Sequence, residues 1–564
     1  MSARFASARL QRTLPNDMNY RGKIIRIERP FGEDSSKEWE FFLALGEADE
    51  DGLLECIGVK RGRGEGNRAI IPLKENELMT GEKLPGMALY LEKKFFILPR
   101  NIQKIWAGVN QECMEGVLRN MVLLAAEKYS SAEHERGEAF TPGDRISYAE
   151  RFFDKEEVTF AVEAALDFWL TSGQYVEEFE RSFAQFLGVP HCSLTNSGSS
   201  ANLLAFMALT SPKLGDRRIR QGDEVITAAA TFPTTVTPIL QYGAVPVFVD
   251  ISLPGYNLDC NQLEAALSPR SKAVMVAHTM GNPFDLAAVK SFCDRHSLWL
   301  IEDNCDALGS KYFYQGKWHF TGSLGHIGTC SFYPPHHITM GEGGAVCTRD
   351  PLLRRLVESF RDWGRDCWCF TGHDNTCQTR FLHQFGQLPF GYDHKYVYSH
   401  FGYNLKATEM QAAIGCAQLK KLEFFIRTRR FNWKYLYDQL QGLEDRLIFP
   451  EATEGSEPSW FGFLLTVRDR NLFSRDEIVR HLEAHNIQTR MLFCGNIIRQ
   501  PCFDEIRDLS GRYRVIGNLR NTDRVTNDTF WIGVHPGLNQ RQMDYMAATI
   551  RSYFSTKGLI GKQA

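Results

Sequence analysis

The sequence predicts an α/β protein built on a mostly parallel sheet with helices on both faces. From about residue 150, helical stretches such as EEFERSFAQFL alternate with short apolar runs: DEVITAA, VPVFVDI, KAVMVAH, LWLIEDN, GTCSFY and GGAVCT. Strand, helix and strand at these intervals are typical of such a sheet. Ligands bind such sheets at the carboxyl ends of their strands, so functional residues are expected there.

The size and composition limit the possible functions. A chain of 564 residues exceeds one compact core, so two or three domains are expected. The net charge of −3 provides no broad basic field, which argues against nucleic acid as a partner. No apolar run reaches the roughly 18 residues of a membrane span. Fourteen cysteines without disulfide-type spacing indicate a reducing, cytoplasmic setting.

The local composition and the spacing of apolar runs along the chain predict five segments. Residues 1–17 read as a disordered tail, although three arginines without an acid before Asp17 also resemble a transit peptide. Short runs such as YRGKIIRIERP and MALYLEKKFFILP predict a small β-rich module of unknown role over 18–118, followed by a linker at 119–144. The large α/β domain spans 145–425. A long amphipathic helix then leads into a small C-terminal α+β domain at 426–564.

Three features near the predicted strand ends are suited to bind an anionic ring cofactor. Asp303 ends a buried strand, where a carboxylate needs a partner such as a protonated pyridine nitrogen. The stretch NSGSSANLLA opens a helix whose amides and hydroxyls suit a phosphate. Phe232 follows another strand and could stack on a ring. Each feature has a plainer alternative: an aspartate that caps the next helix or binds a backbone amide, an ordinary serine or glycine cap, and a core aromatic.

A polar turn after the strand HIGTCSF lacks an expected residue. The stretch SFYPPHHITMGEGGAV resembles the setting in which pyridoxal-phosphate enzymes hold their cofactor on a lysine. This sequence has His336 and His337 there, and an imidazole cannot form that bond. Either the site is inactive, or its chemistry has no need of the lysine.

A cysteine-rich loop at 366–378 predicts a metal site. Cys367, Cys369 and Cys377 follow the spacing C-x-C-x7-C within DCWCFTGHDNTC, and Cys305 is a candidate fourth ligand. Four thiolates suit zinc or an iron–sulfur cluster, and spacing alone slightly favours the commoner structural zinc.

Long motifs closely resemble one group of sugar-nucleotide enzymes. These motifs are EDNCDALGS, SFYPPHHITMGEGGAV, RDWGRDCWC, GYDHKYVYSHFGYNLKATEMQAAIGCAQL and TRMLFCGNIIRQP. They are similar to the CDP-6-deoxy-4-hexulose 3-dehydrases of the DegT/DnrJ/StrS aminotransferase family, over residues 145 to 560. The resemblance implies the PLP-dependent transferase fold type I (aspartate aminotransferase-like), with the N-terminal module outside it.

The resemblance also implies a reaction, in which His336 replaces the lysine. The family's dehydrases use pyridoxamine 5′-phosphate (PMP), which carries its own amine, on a CDP-6-deoxy-4-keto-hexose. His336 would act as the general base that takes a proton from the cofactor's methylene carbon, and the hydroxyl on the sugar's third carbon would leave. Such a step belongs to 3,6-dideoxysugar and O-antigen biosynthesis.

Completing the deoxygenation requires electrons. In the cluster-bearing dehydrases a [2Fe–2S] cluster delivers them, on ligands that match Cys305, Cys367, Cys369 and Cys377. In these relatives a separate flavin iron–sulfur reductase supplies electrons to the cluster. This chain has no flavin or NAD signature of its own, so that reductase would be another protein.

Further roles follow by position from the same resemblance. Asp303 matches the partner of the pyridine nitrogen and Phe232 the aromatic over the ring. The predicted phosphate contacts are Gly198, Ser199, Ser331 and, from the neighbouring subunit of a homodimer, Asn404. The predicted substrate contacts are His337, Arg490, Asn496 and Arg499.

Three competing hypotheses remain. The chain could be a dehydratase without a cluster, a catalytically retired scaffold with structural zinc, or an ordinary aminotransferase. The last is the weakest, because it would have to work without its lysine.

Overall fold

The structure is a computed structural model that describes residues 24–27, 40–44, 53–60, 66–72, 86–91, 94–99, 111–134, 140–369 and 375–559. The predicted tail at 1–17 lies outside these residues. The chain divides into two compact units, one of Met1–Arg136 with Asp154–Leu166, and one of Gly137–Phe153 with Asp167–Ala564. Among the helices of the described residues, none combines the length and apolarity that a membrane crossing demands.

The first unit is rich in antiparallel strands. Its strands are β1 (Ile24–Ile27), β2 (Glu40–Ala44), β3 (Leu53–Lys60), β4 (Gly66–Pro72), β5 (Gly86–Leu91) and β6 (Lys94–Pro99). The first four form one sheet in sequence order, and the last two form a hairpin. Helix α1 (Gln111–His134) covers residues 119–134 of the segment 119–144 predicted as a linker. It is tied to helix α2 (Lys155–Asp167) by the Arg119–Glu163 and Lys155–Glu127 ion pairs, at 3.1 and 2.7 Å.

The second unit contains the remaining strands and helices. Its strands are β7 (His191–Thr195), β8 (Glu224–Ala228), β9 (Val245–Val249), β10 (Ser271–Ala277), β11 (Trp299–Asp303), β12 (Lys311–Tyr314), β13 (Lys317–Phe320), β14 (Ile327–Ser331), β15 (Gly344–Thr348), β16 (Leu447–Ile448), β17 (Ser456–Glu457), β18 (Gly462–Val467), β19 (Arg490–Met491), β20 (Arg514–Val515) and β21 (Thr529–Gly533). Its helices are α3 (Gln174–Leu187), α4 (Gly198–Ala208), α5 (Pro233–Tyr242), α6 (Leu263–Ala266), α7 (Leu286–Arg295), α8 (Pro351–Arg361), α9 (Glu409–Gln439), α10 (Arg475–Ala484), α11 (Arg520–Asp528) and α12 (Gln540–Thr556).

Eight strands form the predicted sheet, in the order β20-β9-β8-β10-β11-β14-β15-β7. Neighbouring strands are parallel from β20 to β14, whereas β15 runs antiparallel to both of its neighbours. Successive residues of a strand point to opposite faces. Accordingly, Ile301 packs in the cluster that includes α4 and α8, while Leu300 packs in the cluster that includes α7. This arrangement confirms the predicted α/β sheet covered on both faces.

Helix α9 begins at a capping box formed by Thr408 and Gln411 and continues for 31 residues. It packs beside the four-stranded antiparallel sheet β16-β18-β21-β19, together with α10 and α12. This segment is the amphipathic helix predicted from the sequence. Its importance for the site is that it runs past the turn that follows β14.

Candidate active site

Asp303 is fixed at the carboxyl end of β11. Its carboxylate is 3% exposed, and Oδ2 accepts hydrogen bonds from Asn202 Nδ2 and Thr235 Oγ1, both at 2.8 Å. Oδ1 accepts a bond from the Cys305 amide at 3.2 Å, so the plainer alternative is also partly realised. Asn202 is held in turn by a bond from Thr329 Oγ1 at 2.6 Å. Helices α4 and α5, with Thr329 of strand β14 behind Asn202, therefore hold this carboxylate in one orientation.

The start of α4 meets the end of β14 at very close range. Ser197 caps the helix by accepting a bond from the Ser200 amide at 3.1 Å. A Cβ atom on Gly198 would lie 2.3 Å from the Ser331 Cβ and 2.6 Å from its Oγ, and Ser199 beside it is exposed. Free amides at a helix start attract anions, so a phosphate fits here and a side chain at position 198 does not.

Phe232 is not an ordinary core aromatic, which was the alternative to its role as a residue that stacks on a cofactor ring. It precedes α5 with 48% of its surface exposed, and its ring meets the Phe493 ring edge-on at 5.8 Å. The segment that carries Phe493 is held nearby, because Cys494 Sγ lies 2.8 Å from the Thr231 carbonyl and Asn496 bridges to Ala230. An exposed ring at a strand end is available to a planar cofactor.

His336 lies in the turn after β14, beside a carboxylate that sequence reasoning missed. Its Nε2 is 3.5 Å from Asp306 Oδ1, and its ring is 5.4 Å from the Phe461 ring. Burial raises the pKa of Asp306, and His336 opposes that shift. A long contact of this kind is common for catalytic groups without substrate. Asp306 lies three residues after Asp303 in the sequence, but only the fold shows its contact with His336.

His337 points away from solvent. It is 3% exposed, and its Nε2 lies 2.8 Å from the Ser459 carbonyl oxygen. Burial, together with the nearby Arg429 cation, holds the pKa of His337 well below its usual range. The bond to a carbonyl fixes a neutral imidazole with its proton on Nε2. The predicted substrate contact of His337 therefore stays a prediction that this geometry does not favour.

The other predicted substrate and phosphate residues each contact another side chain of this chain. Asn496 Nδ2 and Arg499 Nη2 both donate to Asp523, at 2.7 and 2.6 Å. Arg490 lies over the Tyr148 ring at 4.0 Å. Asn404 accepts a bond from Lys406 Nζ at 2.7 Å. Their predicted roles toward a sugar nucleotide and a partner's phosphate stay predictions.

The cysteine loop comes together with a histidine. The donor atoms of Cys367, Cys377 and His394 lie within 4.8 Å of one another, with Cys377 Sγ 3.9 Å from His394 Nδ1. Burial would raise the pKa of Cys369, but hydrogen bonds from Thr376 and the Cys377 amide lower it to about 7. Thiols crowded in this way suit a metal or a cluster. Residues 370–374 of the loop lie outside the described part of the chain.

Cys305 is not a member of that donor group among the described residues. Burial and the adjacent Asp303 carboxylate raise the pKa of its thiol well above the usual value. Its assignment as fourth ligand therefore rests on the resemblance. His394 was missed because it follows Cys377 by seventeen residues, a spacing that no short motif covers.

Comparisons with known proteins give a consistent result. The model of the DegT/DnrJ/EryC1/StrS aminotransferase family matches residues 153–551. The lipopolysaccharide biosynthesis protein RfbH of Salmonella typhimurium is 54% identical over 399 residues, which cover 71% of this chain and 89% of that protein. The dTDP-4-dehydro-2,6-dideoxy-D-glucose 3-dehydratase of Saccharopolyspora spinosa is 50% identical over 400 residues, covering 71% and 84%.

A solved structure extends the similarity to three dimensions. The E. coli GDP-4-keto-6-deoxy-D-mannose-3-dehydratase with bound hydrated PLP superposes with a TM-score of 0.63 at 28% identity. The match covers 72% of this chain and all of that one. The aspartate aminotransferase-like fold that the resemblance implied is confirmed.

Proposed function

Because this chain belongs to the DegT/DnrJ/EryC1/StrS aminotransferase family, we propose that it is a PMP-dependent 3-dehydratase acting on a CDP-6-deoxy-4-keto-hexose. The family and its PLP-bound structures support pyridoxal or pyridoxamine phosphate as the cofactor. The observation that carries the proposal is His336, an imidazole in the position of the expected lysine and 3.5 Å from Asp306.

The chain's own residues divide the work of binding the cofactor. Bound pyridoxamine phosphate supplies an amine for the sugar's 4-keto carbon and a ring that accepts electrons. Asp303 would hold the ring nitrogen, Phe232 would cover one face, and the start of α4 with Ser331 would take the phosphate. The helix amides and the Ser331 hydroxyl provide donors for that anion.

His336 would act as the general base. An imidazole nitrogen can take up a proton, and the Asp306 carboxylate 3.5 Å away would stabilise the cation that results. A lysine in this place could bond to the cofactor itself, so that the sugar would leave with the cofactor's amine nitrogen as an aminated product. The imidazole cannot, which favours loss of the hydroxyl on the third carbon.

A [2Fe–2S] cluster would complete the deoxygenation. We assign it to Cys367, Cys369 and Cys377, with Cys305 as the fourth ligand by resemblance. The cluster would supply single electrons to the reaction. A separate flavin iron–sulfur reductase would return the cluster to its reduced state. The donor group of Cys367, Cys377 and His394 favours one alternative, a structural zinc site in a chain without catalysis.

Two experiments test the proposal. Protein purified without oxygen should show a red-brown absorption spectrum that bleaches with dithionite. Colourless protein with stoichiometric zinc and no PMP binding would favour the retired scaffold. Colourless protein that dehydrates the sugar nucleotide would leave a cluster-free dehydratase.

The second experiment addresses the base. The His336→Asn variant should bind PMP but lose turnover by about a hundredfold or more. The His481→Asn variant serves as the control and should keep its activity. His481 lies in α10, which packs beside the four-stranded sheet β16-β18-β21-β19. Unchanged turnover in His336→Asn would remove His336 from the mechanism.

A further inference from the structure

Helix α9 carries a buried cation that the proposed chemistry does not use. Arg429 is 1% exposed and is the largest fully buried side chain among the described residues. In the described part of the chain, no carboxylate lies within 4.0 Å of its guanidinium nitrogens and its Nε has no hydrogen-bond partner. Burial lowers the pKa of Arg429 to about 9, and the more distant Asp306 carboxylate opposes that shift. Burying an arginine without a counter-charge is costly unless its N–H groups are hydrogen-bonded. Such a residue calls for a specific explanation.

The guanidinium bridges two separate segments of the site. Nη2 donates to the carbonyls of Pro335 and His336, at 3.4 and 3.2 Å. Nη1 donates to the carbonyls of Trp460 and Phe461, at 3.4 and 3.2 Å. The two terminal nitrogens of one planar guanidinium therefore join the turn that carries His336 to the segment just before β18, which carries Phe461.

Both segments meet again at the site itself. The rings of His336 and Phe461 are 5.4 Å apart and inclined by 55°. The His336 amide bonds to the Tyr333 carbonyl and the Phe461 amide to the Met280 carbonyl, both at 2.9 Å. A shift of either segment would therefore move the imidazole relative to Asp306 and to the cofactor position.

We propose that Arg429 is a positioning residue that sets the place of the His336 imidazole by holding these two segments together. The inference rests on the proposed function, because it concerns the base of that reaction. A planar guanidinium can serve two carbonyl pairs at once, whereas a lysine ammonium is a point donor that cannot span both. The hydrogen bonds of Arg429 to the two segments all go to backbone carbonyls, so it does not touch the reacting atoms.

The same helix provides a matched control. Asn432, three residues further on, is also 1% exposed, and its Nδ2 donates to the carbonyls of Val534 and His535 at 3.3 and 3.0 Å. Like Arg429, Asn432 is a buried side chain of this helix that donates hydrogen bonds to backbone carbonyls. The segment that it contacts, however, does not carry the base. Asn432→Ala therefore reports what the loss of a buried brace does to stability alone.

The first measurement needs neither cofactor nor substrate. Hydrogen exchange read by mass spectrometry is compared in Arg429→Gln, Asn432→Ala and the unaltered chain. Exchange in peptides that contain His336 and Phe461 should rise about tenfold or more in Arg429→Gln and stay unchanged in Asn432→Ala. Arg429→Lys should loosen one of the two peptides, and it replaces the Gln variant if that variant does not fold.

The second measurement uses the holoenzyme. Misplacing a catalytic group by about 1 Å costs roughly a hundredfold in rate, so kcat should fall 10- to 100-fold in Arg429→Gln with KM nearly unchanged. Equal kcat and equal exchange in the Arg429→Gln and Asn432→Ala variants would overturn the proposal. If His336→Asn keeps its turnover, His336 is not the base of the proposed reaction, yet the exchange data still decide whether Arg429 holds the two segments.

Discussion

Gly198 and Ser331 lie in such close contact that a Cβ atom on the glycine would stand 2.3 Å from the Cβ of the serine. The glycine begins α4 and the serine ends β14, so two elements far apart in sequence converge on one point. Real side chains do not approach so closely, and glycine at position 198 is a condition of this contact. The contact brings the free amides of the helix start beside the Ser331 hydroxyl.

The first prediction follows from this contact. In Gly198→Ala, the methyl group must push Ser331 or the start of α4 aside, which separates the donors of the predicted phosphate site. We expect the dissociation constant for pyridoxamine phosphate to rise at least tenfold, measured by absorbance titration. Gly255→Ala, where a Cβ meets no atom within 4 Å, serves as the control and should bind normally. Equal affinities in the two variants would show that the phosphate binds elsewhere.

Short local patterns explain why much of this site could be predicted from the sequence. Asp303 and Ser331 each end an apolar run, and Phe232 follows one, so the strand ends could be located from hydrophobic periodicity. Parallel strands present their carboxyl ends at one edge, which brings these residues together. The missing lysine was visible because the pattern around His336 is local as well.

The residues that sequence reasoning missed depend on contacts between distant segments. Arg429 lies 93 positions from His336 in the chain, and a lone arginine in an amphipathic helix is ordinarily a solvated residue. His394 joins Cys377 only through the path of the loop. In the sequence, Asp306 is simply another acidic residue after a strand. Only the fold places it beside His336, in the turn after β14. No periodicity signals such pairs.

The second prediction concerns the metal. Cys377→Ser should lose the visible absorption and at least half of the bound iron, because it removes a donor from the crowded thiols. Cys347→Ser is the control, since that thiol is buried in β15 and away from the donor group. Iron and sulfide analysis of both variants provides the measurement. Full iron content in Cys377→Ser would exclude this thiol as a ligand.

The third prediction tests the proposed homodimer. Phe401 is fully exposed, and it lies three residues before Asn404, whose predicted role is in the neighbouring subunit. Burying a phenylalanine contributes roughly 1.5–3 kcal/mol, and a two-fold interface uses each residue twice. Phe401→Glu should therefore weaken a dimer by at least a hundredfold. Light scattering after size exclusion should show the monomer mass, while the exposed Leu509→Glu control keeps the dimer mass.

The last prediction concerns stability and pH. His535 is 1% exposed, its Nε2 lies 3.1 Å from the Ser147 carbonyl, and burial with the Arg429 cation lowers its pKa to about 4. The unfolded chain has an ordinary imidazole pKa near 6.5 and binds the proton first as the pH falls. The stabilising effect is therefore complete above about pH 6.5 and is lost as the pH falls toward 4.

Between pH 7.5 and pH 5, this one group should lower the free energy of unfolding by about 2 kcal/mol. Urea unfolding at both pH values provides the measurement. His535→Gln has no imidazole to protonate, so the difference between its two values should be smaller by that amount. His485→Gln removes an exposed imidazole and should leave the difference as it is in the unaltered chain. An equal pH dependence in His535→Gln and the unaltered chain would mean that His535 is already accessible to protons in the folded state.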